Sequence, residues 1–237
     1  MDALATPHEI PGLGPEVYGR WRASSIGATT GKLQWRLILE LLGDVRGRTI
    51  LDVGCGDGTL ALELNKRDAI VTGIDTSDAM IEAARAAARP QHADVTFILA
   101  PAEAIPFPPE SFDAIVAVTI LCFVQDAAPV FAEIARVLRP GGFLVIGELG
   151  KWSSWAAARR IRAWLGSPLW RLGRFRTAGE LQALARQAGL VPGAVRGAIY
   201  YPRWAPAARL LARWDAHLSR ITTIGAAFLA VSARKPD

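Results

Sequence analysis

The feature that most constrains this chain is a buried-strand pattern at residues 49–53 that runs directly into three glycines spaced two apart, Gly54, Gly56 and Gly58. Glycine accepts a positive φ and has no Cβ, so a ligand can approach the main-chain N–H and C=O groups of such a loop. Asp52 stands where the strand should end, and open parallel sheets bind their ligands at that edge. The segment therefore predicts a loop that holds a ligand against backbone atoms.

Three interpretations of this loop compete. A dinucleotide-binding loop requires G-x-G-x-x-G, but the third glycine comes one residue early here, and Thr59 stands at the required position. The spacing D-x-G-x-G-x-G resembles motif I of the class I S-adenosylmethionine-dependent methyltransferases, in which the loop holds the methionine end of the cofactor. A glycine-rich turn that binds nothing is the third interpretation. Choosing between them requires evidence from further along the chain.

A second acidic residue ends the next predicted strand. Asp75 lies 21 residues after Gly54, at the end of the apolar run 69–74. A carboxylate at this place can accept hydrogen bonds from both hydroxyls of a ribose. It can also favour the start of the helix that follows. Asp75 therefore supports a bound nucleoside without choosing between a nicotinamide cofactor and S-adenosylmethionine.

Three later segments favour the methyltransferase interpretation. Residues 102–113, A-E-A-I-P-F-P-P-E-S-F-D, resemble the A-E-x-L-P-F-x-x-x-S-F-D segment of the type-11 methyltransferase group, which includes ubiquinone and menaquinone biosynthesis methyltransferases. Residues 118–126 and 138–142 match the same group in order and spacing. The resemblance is strong over residues 47–148 and weak elsewhere. It opposes an NAD-dependent oxidoreductase.

The resemblance implies S-adenosyl-L-methionine as the cofactor and S-adenosyl-L-homocysteine as the product. Glycine-loop backbone atoms should contact the methionine portion, Asp75 the ribose, residues 102 and 103 the adenine, and Thr119 the methionine again. It also suggests Tyr18, Trp21 and Gly27 as contacts from an N-terminal cover. The cofactor residues that it implies are Asp52, Gly54, Cys55, Gly56, Asp75, Thr76, Ala102, Glu103 and Thr119.

Alternating strand and helix patterns predict an α/β fold with helices on both faces of a mostly parallel sheet. The resemblance implies a Rossmann-like sheet of seven strands whose last strand is antiparallel. An extended lead over residues 1–17 and a helix over 18–42 form an N-terminal cover, residues 1–46, before a methyltransferase domain at 47–237. Within that domain we predict a variable helical cap at 151–176, a strand at 195–201, and a late helix at 203–220. Thr177 and Glu180 should form a capping box.

The cap should select the acceptor, and six of the eight tryptophans lie beyond residue 150. On a helical wheel Trp152, Trp155, Arg159 and Arg162 share one side. Such a face suits an aromatic, anionic acceptor, a lipid headgroup surface, or simply solvent. The opposite side is predicted to be core and contains Ala157, Ile161, Trp164 and Leu165. The predicted acceptor contacts are Trp152, Trp155, Arg159 and Tyr200.

Charge is divided unevenly along the chain. Residues 1–150 carry 12 Lys or Arg and 19 Asp or Glu, a net −7, whereas residues 151–237 carry 15 against 3, a net +12. The basic part keeps open a methyltransferase acting on RNA or DNA, although no segment resembles an RNA-binding module, so nucleic acid is disfavoured. A cofactor-binding protein without catalysis, or a membrane-surface protein, is the other alternative.

The remaining features restrict the chemistry. No leader pattern or membrane span appears, so we expect a cytoplasmic protein. The spacing of Cys55 and Cys122 suggests neither a metal nor a disulfide. Methyl transfer needs no fixed catalytic acid, and a base is needed only for an acceptor that must lose a proton. The candidate bases are Glu148, Tyr200 and Tyr201, none of which the sequence assigns, and the three histidines, His8, His92 and His217, are expected on the surface.

Overall fold

The computed structural model describes residues 12–237, except for the side chain of Arg209. The strands are β1 (Thr49–Val53), β2 (Ile70–Asp75), β3 (Val95–Leu99), β4 (Phe112–Val118), β5 (Leu138–Leu149), β6 (Val191–Ala198) and β7 (Phe228–Arg234). The α-helices are α1 (Pro15–Ala23), α2 (Ser25–Leu42), α3 (Thr59–Asn65), α4 (Asp78–Ala88), α5 (Ala128–Val137), α6 (Ser154–Trp164), α7 (Pro168–Leu172), α8 (Ala178–Gln187), α9 (Ala205–Leu211) and α10 (Asp215–Ile221).

All seven strands form one sheet in the order β3-β2-β1-β4-β5-β7-β6. Strands β1 to β5 pair in parallel, and β7 is antiparallel to both of its neighbours, β5 and β6. The chain reverses its direction of travel across the sheet between β1 and β4, which is the point where open α/β sheets bind ligands. The predicted α/β class, the seven strands and the antiparallel last strand are confirmed.

The sheet separates two hydrophobic clusters, because successive residues of a strand point to opposite faces. Ile50 of β1 packs with residues of α2, α3 and α4, whereas its neighbour Leu51 packs with residues of α5 and α8. Helix α2 contributes Leu33, Leu37 and Ile38 to the first cluster. The N-terminal cover is therefore anchored in the same core as the sheet.

The predicted helix over residues 18–42 is two helices. Residues 15–17, predicted as part of an extended lead, begin α1, and the predicted lead before residue 12 lies outside the described residues. The chain bends at Ser24, which has an extended backbone (φ −67°, ψ 151°) and accepts a hydrogen bond from the Gly27 N–H. A serine that caps the second helix thus interrupts a pattern whose periodicity alone looked continuous.

The C-terminal part departs further from the prediction. The strand predicted at 195–201 instead spans 191–198, and a carboxylate explains why it ends there: Asp215 accepts hydrogen bonds from the Ile199 N–H (2.8 Å) and the Tyr200 N–H (3.2 Å). The late helix predicted at 203–220 is divided into α9, a 3₁₀ turn and α10. The capping box before α8 is present as predicted. No helix of the described residues is long and apolar enough to cross a membrane.

Candidate functional site

A cavity of about 1940 Å³ lies at the carboxyl edge of β1 to β5. Its floor is the sheet edge with the glycine loop, one side is formed by α1 and α2, and the other by the cap helices α6 and α7. Pockets for one drug-sized ligand usually measure about 300–1,000 Å³. This cavity has room for two small molecules side by side.

The glycine loop is fixed to the next strand by Asp75. The Gly56 N–H donates to Oδ2 of Asp75 (2.9 Å) and the Ser77 N–H donates to Oδ1 (2.9 Å), while the carboxylate still lines the cavity. Gly56 has a φ of +53°, and a Cβ placed there would meet no atom within 4 Å. The loop therefore exposes main chain at a place where a side chain would project into open space.

Asp52 supplies a buried carboxylate beside this loop. The residue is 1 % exposed, lines the cavity, and has an Oδ2 atom without a hydrogen-bond partner in the described residues. Burial, together with the negative charges of Asp75 and Asp57, raises the pKa of Asp52 to about 7. Buried polar atoms are nearly always paired, so this orphan oxygen is suited to a cationic or hydrogen-bond-donating ligand.

Thr119 is held in a conformation that non-glycine residues rarely adopt. Its φ is +55°, its N–H donates to the Gly147 carbonyl (2.7 Å), and it lines the cavity just beyond the end of β4. Such backbone costs about 1–3 kcal/mol and concentrates at ligand sites. All nine predicted cofactor residues line this one cavity, and their cofactor contacts remain predictions: Asp52, Gly54, Cys55, Gly56, Asp75, Thr76, Ala102, Glu103 and Thr119.

The N-terminal cover is joined to the glycine loop by a residue that sequence reasoning missed. Arg22 donates through Nη1 to both carboxylate oxygens of Asp57 (2.9 and 3.0 Å) and to Oγ1 of Thr59. Its guanidinium also lies over the rings of Tyr18 (5.5 Å) and Trp35 (5.8 Å). The only signal in the sequence was its place directly after Trp21. Arg22 therefore couples the position of α1 to the cofactor end of the cavity, the end that is lined by Asp52, Gly56 and Asp75 and contains the predicted cofactor residues.

The three cover residues suggested by the resemblance, Tyr18, Trp21 and Gly27, also line the cavity. Gly27 has a structural reason to be glycine, because a Cβ there would lie 1.9 Å from the Trp21 carbonyl oxygen. The end of α1 therefore packs against α2 more closely than any side chain at this position allows. Burial raises the pKa of Tyr18, which is consistent with a well-covered wall.

The cap presents Trp155 and Arg159 to the cavity and turns its other face to solvent. Trp155 is buried, and its Nε1 donates to the Tyr201 carbonyl (2.7 Å). The opposite face, predicted to be core, is exposed: Trp164 by 83 %, Leu165 by 70 % and Ile161 by 58 %. That prediction was wrong because α6 lies over the cavity, so the face that packs on protein is the one carrying both tryptophan and arginine.

Two predicted acceptor contacts lie elsewhere. Trp152 is 64 % exposed, precedes α6 and is not part of the cavity wall. Tyr200 is also absent from the wall, because its hydroxyl donates to the Thr222 carbonyl oxygen at the end of α10. Burial and the nearby Asp215 raise the pKa of Tyr200 to about 12. Membrane contact through the cap stays a prediction, and it would now involve Trp152 and the outward residues of α6.

No candidate base among the described residues is poised over the cavity. Glu148 is buried behind the wall, where it accepts hydrogen bonds from the Leu121 N–H (2.6 Å) and the Leu149 N–H (3.3 Å). Burial raises its pKa to about 7. Cys122 lines the cavity, but burial raises the pKa of its thiol well above the usual range. Neither His92 nor His217 reaches the wall, and His8 lies outside the described residues.

Comparison with known proteins gives consistent matches. Residues 51–146 match the family model described as "Methyltransferase domain". The chain is 34 % identical over 173 residues to a ubiquinone biosynthesis O-methyltransferase of Alkalilimnicola ehrlichii, covering 70 % of this chain and 69 % of that protein. It is 31 % identical over 249 residues to the 27-O-demethylrifamycin SV methyltransferase of Amycolatopsis mediterranei, covering 93 % and 89 %.

The fold is also shared with solved structures. A Thermotoga maritima protein described as an S-adenosylmethionine-dependent methyltransferase, possibly a histamine N-methyltransferase, matches with a TM-score of 0.69. The match covers 93 % of this chain and 95 % of that one at 22 % identity. At this identity the likeness extends to the fold alone.

Proposed function

This chain belongs to the S-adenosylmethionine-dependent methyltransferases and is an enzyme that uses that cofactor, and we propose that it methylates an oxygen atom of a small, aromatic or partly apolar acceptor. One observation carries the proposal. A single cavity joins the glycine loop with Asp52 and Asp75 to a wall that contains Trp155 and Trp170. The choice of oxygen is supported by the names of the two relatives, both of which describe O-methylation.

The residues at the cofactor end of the cavity fit the cofactor that the family uses. Asp75 offers carboxylate oxygens for ribose hydroxyls, and the orphan Oδ2 of Asp52 offers a negative partner for a cationic ligand. The exposed main chain at Gly56 allows close approach of the methionine portion. When bound, S-adenosylmethionine supplies a methyl group that is already activated by a sulfonium.

Alignment is the main task left to the protein. Holding an acceptor oxygen in line with a reactive carbon can contribute about 7–11 kcal/mol toward lowering a barrier. Helices α1, α2, α6 and α7 enclose the cavity and present tryptophan rings on which a planar acceptor can pack. The acceptor hydroxyl must also lose its proton when its oxygen takes the methyl group. Since the described residues place no histidine on the wall, we propose that this proton passes to water in the cavity.

The alternatives draw less support from the geometry. A nucleic-acid methyltransferase would be expected to present its arginines on an outer surface that can follow a phosphate backbone. Here Arg159, Arg162 and Arg203 line the cavity, where Arg159 is buried, although Arg162 and Arg203 are also exposed to solvent. A small acceptor that enters the cavity accounts for their position better than a polymer does.

Methyl transfer from tritiated S-adenosylmethionine to a panel of small aromatic molecules tests this function. The panel pairs each phenol or catechol with the aniline of the same skeleton, and the products are identified by mass spectrometry. We expect transfer to the hydroxyl compounds, and loss of transfer in the Asp75→Ala variant. Transfer confined to the anilines would contradict O-methylation. Cofactor binding without transfer to any member, or to any component of a cell extract, would contradict the enzyme.

A further inference from the structure

We propose that the cap end of the cavity, the end lined by α6 and α7, binds an anionic group of the acceptor, either a carboxylate or a phosphate. Arg159 would bind this group directly, and Arg203 and Arg162 would add positive charge around it. This inference rests on the proposed function, because it names a chemical class for the acceptor of the same site. The acceptor would then be an aromatic molecule that carries an acid at one end. Its methyl-accepting oxygen would lie toward the cofactor end of the cavity.

Arg159 is the observation on which the proposal stands. Its side chain is buried, with the residue only 8 % exposed, and it lies on the cavity wall. Within residues 12–237 its Nε–H has no hydrogen-bond partner, and no carboxylate of these residues lies within 4 Å of its guanidinium. A charge that is removed from water without a partner is costly. An anionic ligand bound to Arg159 would therefore offset the cost of burying its charge.

Two indole rings hold this guanidinium in place. Its central carbon lies 4.7 Å from the ring centre of Trp170 and 5.4 Å from that of Trp155. Stacking on aromatic rings uses the faces of a guanidinium and leaves the N–H groups on its edge free to donate. A carboxylate or a phosphate matches that edge with two parallel hydrogen bonds. The rings also offer surface to the aromatic part of the same ligand.

Further positive charge lies around Arg159. Arg203 lies over the other tryptophan of the pair, with its central guanidinium carbon 5.2 Å from the Trp155 ring centre, and Arg162 is one turn further along α6. Burial, with repulsion from Arg203 and Arg162, lowers the pKa of Arg159 to about 10. Neither neighbour forms an ion pair with a described carboxylate. An anion bound here would relieve repulsion among the three arginines.

Three acidic side chains of the cavity, those of Asp52, Asp57 and Asp75, lie at its glycine-loop end. Asp52 lies near the end of β1, Asp75 is the last residue of β2, and Asp57 is already paired with Arg22. The protein therefore does not neutralise its own arginine cluster, although the same cavity contains carboxylates. This separation favours a ligand that brings its own negative charge to the cap.

Matched probes test the anion site without knowledge of the natural acceptor. Binding of 2-naphthoate and of its neutral counterpart 2-naphthamide is measured by calorimetry, with the protein saturated with S-adenosylhomocysteine. We expect wild type to bind the naphthoate at least about tenfold more tightly, as a charge-assisted hydrogen-bonded pair implies. Arg159→Gln should abolish that preference. Arg160→Gln, which changes the next residue on the helix and one that is not on the cavity wall, should keep it.

A third probe, 2-naphthyl phosphate, distinguishes a phosphate site from a carboxylate site. If it binds more tightly than 2-naphthoate, the site prefers a phosphate, and if it binds more weakly, the site prefers a carboxylate. Thermal unfolding checks that Arg159→Gln folds, and Arg203→Gln provides a second variant that should weaken the preference several-fold. Equal binding of all three probes to wild type would overturn the proposal. So would an Arg159→Gln variant that loses affinity for S-adenosylhomocysteine but keeps the preference, since Arg159 would then serve the cofactor. Methyl transfer is assayed separately, so failure of the anion site leaves the proposed function standing, and the reverse holds.

Discussion

The two ends of the cavity use charge in opposite ways. At the cofactor end Asp75 accepts hydrogen bonds from two backbone N–H groups, and Asp57 is paired with the side chain of Arg22. At the cap end Arg159 is held by stacking on indole rings and has no carboxylate partner among the described residues. Hydrogen bonds to backbone fix geometry for one defined ligand, whereas stacked arginines provide charge with fewer geometric demands.

This difference indicates where selectivity resides. The cofactor end is built from β1, β2 and the loops that follow them, and each of these two strands has a neighbour on both sides in the sheet. The cap end is built from helices that pack on the sheet edge and bury only one face. Changes at the cap can therefore alter the acceptor without disturbing the core, while changes at the loop affect both binding and folding.

The largest expected effect comes from removing the carboxylate that organises the cofactor end. Asp75→Ala should weaken binding of S-adenosylmethionine by at least about 100-fold, because hydrogen bonds to a charged group contribute about 1.5–3 kcal/mol each and we predict that this carboxylate accepts one from each ribose hydroxyl. Calorimetric titration measures the loss. The control is Asp78→Asn, which changes an exposed carboxylate three residues later. Unchanged affinity in the alanine variant would show that Asp75 only holds the loop, or that the ribose binds elsewhere.

A second test uses pH to sharpen the contrast in charge. Asp52 has a pKa of about 7 in the free protein, raised by burial and by Asp75 and Asp57. A cationic cofactor favours the ionised carboxylate, so affinity for S-adenosylmethionine should rise about tenfold between pH 6 and pH 8. Asp52→Asn should flatten this profile. A wild-type profile that is already flat would mean that the cofactor's positive charge lies away from Asp52.

The raised pKa of Asp52 also makes the free energy of unfolding depend on pH. The folded protein holds the Asp52 proton more tightly than the unfolded chain does, since the folded pKa exceeds the ordinary value of 3.8. The contribution of this group to the free energy of unfolding is therefore complete below about pH 4 and falls as pH rises through about 7. In Asp52→Asn that particular decline should be absent from denaturant unfolding curves measured across this range.

An intermediate effect is expected where the cover meets the cofactor end. Arg22→Gln removes the ion pair with Asp57. The side chains of Arg22 and Asp57 are each less than one third exposed. We expect cofactor affinity to fall about three- to tenfold, because a partly buried link of this kind contributes about 0.5–1.5 kcal/mol. Arg20→Gln, which affects only an exposed pair with Glu16, is the control. Equal effects of the two changes would show that α1 does not act through Asp57.

Much of the cofactor end could be predicted from the sequence, and much of the cap could not. The glycine spacing, Asp75 and the run at 102–113 are local patterns, and the structure brings the glycine loop, Asp75 and the first two residues of that run, Ala102 and Glu103, together on one wall. The predicted capping box between Thr177 and Glu180 is equally local, and it is present. Local chemistry of this kind can be recognised one segment at a time.

The prediction that the other face of α6 belongs to the core was wrong for a tertiary reason. A helical wheel divides α6 into two faces, but it does not tell which face will meet protein, and both faces contain tryptophan. In the folded protein α6 lies over the cavity, and the face with Trp155 and Arg159 is the one that lines it. Arg22 and Arg203 were missed for the same reason, since their partners Asp57 and Trp155 lie 35 and 48 residues away in the sequence.

The smallest expected effect tests the outward face of the cap directly. Trp164 is 83 % exposed and is not on the cavity wall, so Trp164→Ser should change the free energy of unfolding by no more than about 0.5 kcal/mol. The preference for 2-naphthoate over 2-naphthamide should also stay within about twofold of wild type. The same variant tests the predicted membrane contact, because flotation with anionic vesicles should weaken if Trp164 inserts into the headgroup region. A loss of the naphthoate preference would instead mean that the two faces of α6 are coupled, and that the cap is not the one-sided cover described above.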